Sequence, residues 1–167
     1  MCNKKTNLDI RIAPLSINYF EPYLRLVNSE IVHKTTQPLD EFEPFSRERI
    51  KEWLNEIASK SDRVDFAILD KISDEFLGEL VLNQIKGESC NIRIAILPEF
   101  HDKGVGTKAV NLGLDYAFER LDLASVTLGV YNINPRAIRV YEKCGFKETH
   151  RSIMTGGVEE IHMVCFQ

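Results

Sequence analysis

The chain has 167 residues, 44% of them hydrophobic and 28% charged, a composition that excludes a largely disordered protein and is expected to form one domain over residues 1–167. A formal net charge of −4 speaks against a nucleic-acid partner bound through phosphate neutralisation and suits cationic or neutral partners. No stretch approaches the length of a membrane span, so no membrane partner is expected.

No apolar run of the signal-peptide type follows Met1-Cys2-Asn3-Lys4-Lys5-Thr6, and a cytoplasmic location is expected. Leu8 to Ala13 alternates apolar and polar residues and reads as a strand ended by Pro14. Ser16 can cap a helix with Ile17, Phe20, Leu24 and Val27 at helical spacing. The run Asp40-Glu41-Phe42-Glu43 is either an exposed acidic loop or an attractor for a cationic amine. A second helix starts at Ser46, with Ile50, Trp53, Leu54 and Ile57 as its core stripe.

The period then changes. Val64, Phe66 and Ile68 alternate, as do Phe76, Gly78, Leu80 and Leu82, and Ile92, Ile94 and Ile96, which predicts a three-strand meander. A long helix follows from about Lys103 to Arg120, with Val110, Leu114, Ala117 and Leu121 on one face. Ser125 to Tyr131 reads as a strand. Asn134 as N-cap, Pro135 at the first helical position and Gly145 as C-terminal cap punctuate a short helix. Phe146 onward and Val158 to Phe166 read as closing strands joined through Gly156-Gly157. The order β-α-α-β-β-β-α-β-α-β-β is a mixed α/β domain of the α+β type, with a mostly antiparallel sheet flanked by helices.

Cys2, Cys90, Cys144 and Cys165 have no redox-pair or zinc-knuckle spacing; all are expected reduced, with Cys90, Cys144 and Cys165 as buried small hydrophobes. His33, His101, His150 and His162 show no ligand spacing, so no metal is expected.

Two constellations carry chemistry. In the first, Ile94 to Ile96 runs through a turn into a helix, with glycine at 104 and 106. A helix N-terminus offers unpaired N–H groups and partial positive charge, and glycine lets a phosphate approach the backbone. The same residues match the loose dinucleotide fingerprint of an oxidoreductase, but the next strand ends at Val130-Tyr131-Asn132 without the acidic residue which that fold uses. A P-loop fits less well still, because Lys108 follows Thr107 and the first glycine of that motif is missing. In the second constellation, Asn134, Ala137, Ile138 and Tyr141 share one helix face, with Asn134 and Tyr141 two turns, or roughly 10 Å, apart. That spacing suits an extended ligand arm; alone, Asn134 would be a cap and Tyr141 a core aromatic.

With these residues the sequence resembles the GNAT acyl-CoA N-acyltransferases. Their pyrophosphate loop, Arg/Gln-x-x-Gly-x-Gly/Ala, is matched by His101-Asp102-Lys103-Gly104-Val105-Gly106, with His101 as the departure. Their later segment is matched by Asn134, Ala137, Tyr141, Gly145 and Phe146. Pro98-Glu99-Phe100, Leu114 to Phe118 and Ile161 to Gln167 are similar to the branch holding ribosomal-protein N-terminal acetyltransferases and spermidine acetyltransferases. The resemblance implies acetyl-CoA as donor, its pantetheine arm along Ile94, Ala95 and Ile96. It places the diphosphate on His101, Asp102, Lys103, Gly104, Val105, Gly106 and Thr107, and Asn134 on the arm. It also implies Tyr141 as the general acid for the leaving thiolate. It implies a primary amine as acceptor, with a polyamine, a protein or peptide N-terminus, a small antibiotic-like amine and an amino acid all open, and a homo-oligomer is open. A non-catalytic CoA sensor is the alternative outside enzymes.

An alkyl ammonium of pKa ~10.4 must lose its proton before it can attack, so a base or a desolvating site is required. Glu79, on a strand expected to face the acceptor, is the first candidate base, then Glu88, then His33.

Overall fold

The computed structural model describes residues 7–167; Cys2 and the expectation of no signal peptide at Met1 to Thr6 lie outside the described residues. The alternating stretches form β1 (Ile10–Pro14), β2 (Val64–Asp70), β3 (Phe76–Lys86), β4 (Ser89–Ile96), β5 (Ser125–Tyr131), β6 (Lys147–Ile153) and β7 (Glu159–Phe166). They make one seven-stranded sheet in the order β1-β2-β3-β4-β5-β7-β6. Every neighbouring pair is antiparallel except β4 with β5. The helices are α1 (Phe20–Val27), α2 (Glu30–Thr36), α3 (Arg47–Glu56), α4 (Val105–Asp115) and α5 (Pro135–Lys143). No helix among the described residues is long and apolar enough to cross a membrane.

Side chains alternate across a strand, so the two faces of β3 and β4 are built from different residues. Leu80 and Ile92 pack under α4, where Gly113 allows the helix to come close. Glu79, Val81, Arg93 and Ala95 point to the other face, which α1 and α3 cover. Burial follows: Ala67, Ile68, Leu69, Leu77, Leu80, Val81 and Leu82 are fully enclosed at the centre of the sheet.

The feature that positions the site is a divergence. β4 and β5 pair only at Ser89↔Ser125, Cys90↔Val126 and Asn91↔Thr127. Beyond that, β4 stays with β3 as far as Gly78↔Ile96, while β5 stays with β7 as far as Tyr131↔Glu160. The Leu97 N–H donates to Leu77 O (2.9 Å). By the two-residue alternation Ala95 and Arg93 also bond toward β3, so the peptide groups of Ile94 and Ile96 face the gap.

That packing has a tight point at Gly78. A Cβ there would overlap the Ala95 carbonyl oxygen and lie 2.9 Å from Ile96 Cα, both of them backbone that cannot rotate away. Overpacking of this kind costs about 1–3 kcal/mol and, for a chain of this size, roughly 2–4 °C of Tm per kcal/mol. Gly78→Ala is therefore expected to melt several degrees below the parent; an unchanged Tm would show that the strands slide apart freely.

Three expectations need correction. The stretch from Glu30 to Thr36, for which the sequence predicts no element, is the helix α2: the Ser29 hydroxyl accepts from Val32 N–H, and the Thr35 and Thr36 hydroxyls donate back to Val32 O. The order is thus β-α-α-α-β-β-β-α-β-α-β-β. The helix expected from Lys103 starts at Val105, because Gly104 sits in the left-handed region (φ 78°) and ends the turn there; its far end continues as a π-turn over Tyr116–Arg120. Cys90 is buried, but Cys144 and Cys165 are only half-buried, being at the end of α5 and near the end of β7.

Candidate active site

A cleft of about 260 Å³ opens at the divergence, between the free edge of β4, the start of α4, and α5. Ile94, Ala95, Ile96, His101, Asp102, Gly104, Val105, Gly106, Thr107 and Asn134 all line it. Lys103 does not: its ammonium lies over the Phe100 ring, 5.3 Å from the centroid. Lys108 N–H to Gly104 O (3.3 Å) is the first bond of α4. The N–H groups of Val105, Gly106 and Thr107 therefore have no acceptor within the helix, and they sit at the positive end of its dipole.

Three cations reinforce this end. Arg136, Arg139 and Lys143 line the same cleft from α5, at spacings of three and four that put them on one face. Sequence reasoning missed them, although that spacing was visible. The edge of β4 offers peptide groups to an extended amide-bearing arm, and the helix end and cations suit phosphates. The cleft fits acetyl-CoA.

His101 has turned inward. Its Nε2–H donates to Ile96 O (2.9 Å), and burial holds its pKa below the ordinary imidazole value, so the ring stays neutral. It ties the loop to the strand and takes the Ile96 carbonyl, leaving the Ile96 N–H free toward the gap. Asn134 caps α5, its Oδ1 accepting from Ala137 N–H (3.2 Å). Only its NH₂ group remains to meet a ligand.

Tyr141, two turns along α5, is 6% exposed, packs edge-on against Phe146 at 5.8 Å, and lines neither this cleft nor the next. Burial pushes its pKa up, with a small opposing pull from Arg93, so it remains a neutral phenol and a donor.

On the opposite face of the sheet a second cavity of about 400 Å³ lies between α1–α3 and the β3–β4 ladder. It meets the first at Ala95, Val32 and Thr36, which line both. Glu79 stands in its floor at 5% exposure. Its Oε1 accepts from Arg93 (3.4 Å), while Oε2 is buried with no hydrogen-bond partner among the described residues. Burial raises the Glu79 pKa; Arg93, the Tyr23 hydroxyl and Arg63 lower it in part.

The other two candidate bases separate. Glu88 is exposed in the β3–β4 turn, roughly 20 Å along β4 from Ala95, too far to serve an amine there. His33 lies on α2 and lines the second cavity, with its Nε2 bonded to Asp40 O (2.9 Å) and its ring edge-on to Phe42. Trp53, expected as core, is half-buried in the wall of this cavity with the Arg63 guanidinium stacked on it at 4.7 Å.

Comparison with known proteins identifies the family and the fold. A spermidine N(1)-acetyltransferase of Vibrio cholerae is 39% identical over 72 residues, 43% of this chain and 42% of that protein, so the match spans less than half of that relative. A probable N-acetyltransferase of Bacillus subtilis, YjcK, is 33% identical over 126 residues, 71% of this chain and 68% of the relative. Among solved structures, Vibrio cholerae spermidine N-acetyltransferase in complex with CoA and spermine superposes with a TM-score of 0.85, covering 95% of each chain at 24% identity, a likeness of fold. The model of the acetyltransferase (GNAT) domain matches residues 9–147, and with it the cleft, the glycine turn and α5: the chain belongs to the GNAT family of acetyl-CoA-dependent acetyltransferases.

Proposed function

We propose that the protein moves the acetyl group of acetyl-CoA to a primary amine by direct attack, with Glu79 serving the amine and Tyr141 the sulfur. The observation that carries this is the buried Glu79 carboxylate, with Arg93 and the Tyr23 hydroxyl beside it, in a cavity that joins the cofactor cleft at Ala95. Its Oε2 makes no hydrogen bond within 3.5 Å among the described residues, and the N–H of an incoming amine supplies one. The names of the Vibrio relatives make a polyamine one acceptor of the right type, and a protein N-terminus is another.

Bound acetyl-CoA supplies an activated thioester. The chain's residues do the rest. The Ile96 N–H, facing the gap, donates to the carbonyl oxygen as negative charge develops on it. Glu79 accepts the proton of the ammonium. The Tyr141 hydroxyl donates to the sulfur. The starts of α4 and α5 hold the phosphates and the arm, which fixes the thioester at the seam between the cavities.

The base must be ionised to act. Because burial raises its pKa, proton uptake disables it at a higher pH than an ordinary glutamate would show. The acidic limb of the kcat/KM profile should therefore stand above the usual carboxylate range. Glu79→Gln is expected to lower kcat by about 100-fold and erase that limb. An unmoved limb in Glu79→Gln overturns its role. Thiol release on adding amine, together with a Tm raised by acetyl-CoA but not by NAD(P), tests the whole reading; a Tm rise without thiol release from any amine would indicate a sensor.

A further inference from the structure

The second cavity says more about the acceptor, on the reading that acetyl transfer takes place there. Its charged wall is Arg49, Arg63 and Arg93 against the single carboxylate of Glu79. The acidic run Asp40 to Glu43 supplies nothing to it: Gln37 and Phe45 on either side line the cavity, and none of the four between them does. A polyamine carries two or more positive charges and needs carboxylates along its length, because a like charge facing it costs free energy.

The three arginines differ in what they have left to give. Arg63 is committed, held by Asp65 through two bonds (2.6 and 2.8 Å) and stacked on Trp53. Arg93 is half-exposed, and its one carboxylate partner among the described residues is Glu79 at 3.4 Å. Arg49 is 58% exposed on α3, paired among the described residues only with Glu52 at 4.0 Å. A guanidinium has five donors in a planar fork suited to a carboxylate, so Arg49 and Arg93 keep most of their capacity.

We propose that the acceptor is an amino-acid-like molecule, its amine directed to Glu79 and its carboxylate held by Arg93 and Arg49. Tyr23, Phe45 and Trp53, with Leu26, Val27 and Ile50, give the wall an apolar part that suits its carbon chain. The carboxylate anchors and the amine reacts. Selectivity against polyamines then comes from the same guanidinium charges.

The test compares each amine with its carboxylated counterpart: cadaverine with L-lysine, putrescine with L-ornithine, 3-methylbutylamine with L-leucine, and spermidine alongside. Thiol release gives kcat/KM for each. The amino acids are expected to exceed their decarboxylated partners by about tenfold or more, the order of a charge-assisted hydrogen bond, chiefly through KM. Arg49→Met, a surface change on α3, and Arg93→Met should each shrink that ratio toward one. Preference for the diamines or spermidine, or arginine variants that leave the ratio intact, overturns the acceptor assignment while acetyl transfer stands. Absence of thiol release with every amine overturns both.

Discussion

Tyr141→Phe is expected to lower kcat by about 100-fold or more while the Kd for acetyl-CoA stays within about threefold. The phenol is matched to the leaving group: a thiolate of pKa ~8.5 departing beside a phenol of pKa ~10 receives a hydrogen bond, and then a proton, as charge builds on sulfur. Burial raises the Tyr141 pKa further, so the proton is present across the working pH range. Phenylalanine keeps the edge-on contact with Phe146 and the place in the core, so the fold and the cofactor cleft persist. Tyr141 lines neither cavity, and Arg93, which lines the acceptor side, pulls weakly against the rise in its pKa. Its part in the reaction is the proposal that this variant tests. An unchanged kcat, measured where single-turnover chemistry limits the rate, would take Tyr141 out of the reaction.

The fold was legible wherever one face of an element is buried and the other is not. β3 and β4 show a strict period of two, and α5 carries its own punctuation in Asn134, Pro135 and Gly145. α2 was not legible. Glu30-Ile31-Val32-His33-Lys34-Thr35-Thr36 is rich in β-branched residues and buries none of its side chains fully, so neither propensity nor periodicity marks it. It is nevertheless the helix that lines both cavities, through Val32 and Thr36.

The residues of the cleft proposed for the donor could be picked out of the sequence because they are local: a turn, a helix start and one helix face. The acceptor half is assembled from α1, α2, α3, β3 and β4, with Arg49, Arg63, Glu79 and Arg93 far apart in the chain. Trp53 shows the limit of periodicity. Its place in the α3 stripe was right, but the stripe faces a cavity at that point, and spacing alone does not distinguish a wall from a core. His101 shows another limit, since its bond to Ile96 O depends on how the loop folds back.

Gly106 separates occlusion of the cleft from damage to the fold. A Cβ at this position meets Ile96 Cδ1 and Val140 Cγ2 at 3.5 Å, ordinary contact distances, so alanine is tolerated. In the first turn of a helix, alanine is also favoured over glycine by up to about 1 kcal/mol. Gly106→Ala is therefore expected to hold or raise the Tm and, on the proposal that phosphate oxygens approach the α4 N–H groups there, weaken acetyl-CoA by a few-fold. Gly106→Trp carries an indole into the same space, between β4 and α5. It should weaken binding by about 100-fold or more while the protein still melts cooperatively. In the parent, acetyl-CoA at about 100 times its Kd contributes roughly 2.7 kcal/mol of stability, a shift of several degrees. That shift should persist in Gly106→Ala and vanish in Gly106→Trp. A full shift retained by a folded Gly106→Trp would mean that the phosphates rest elsewhere, and the start of α4 would lose its role.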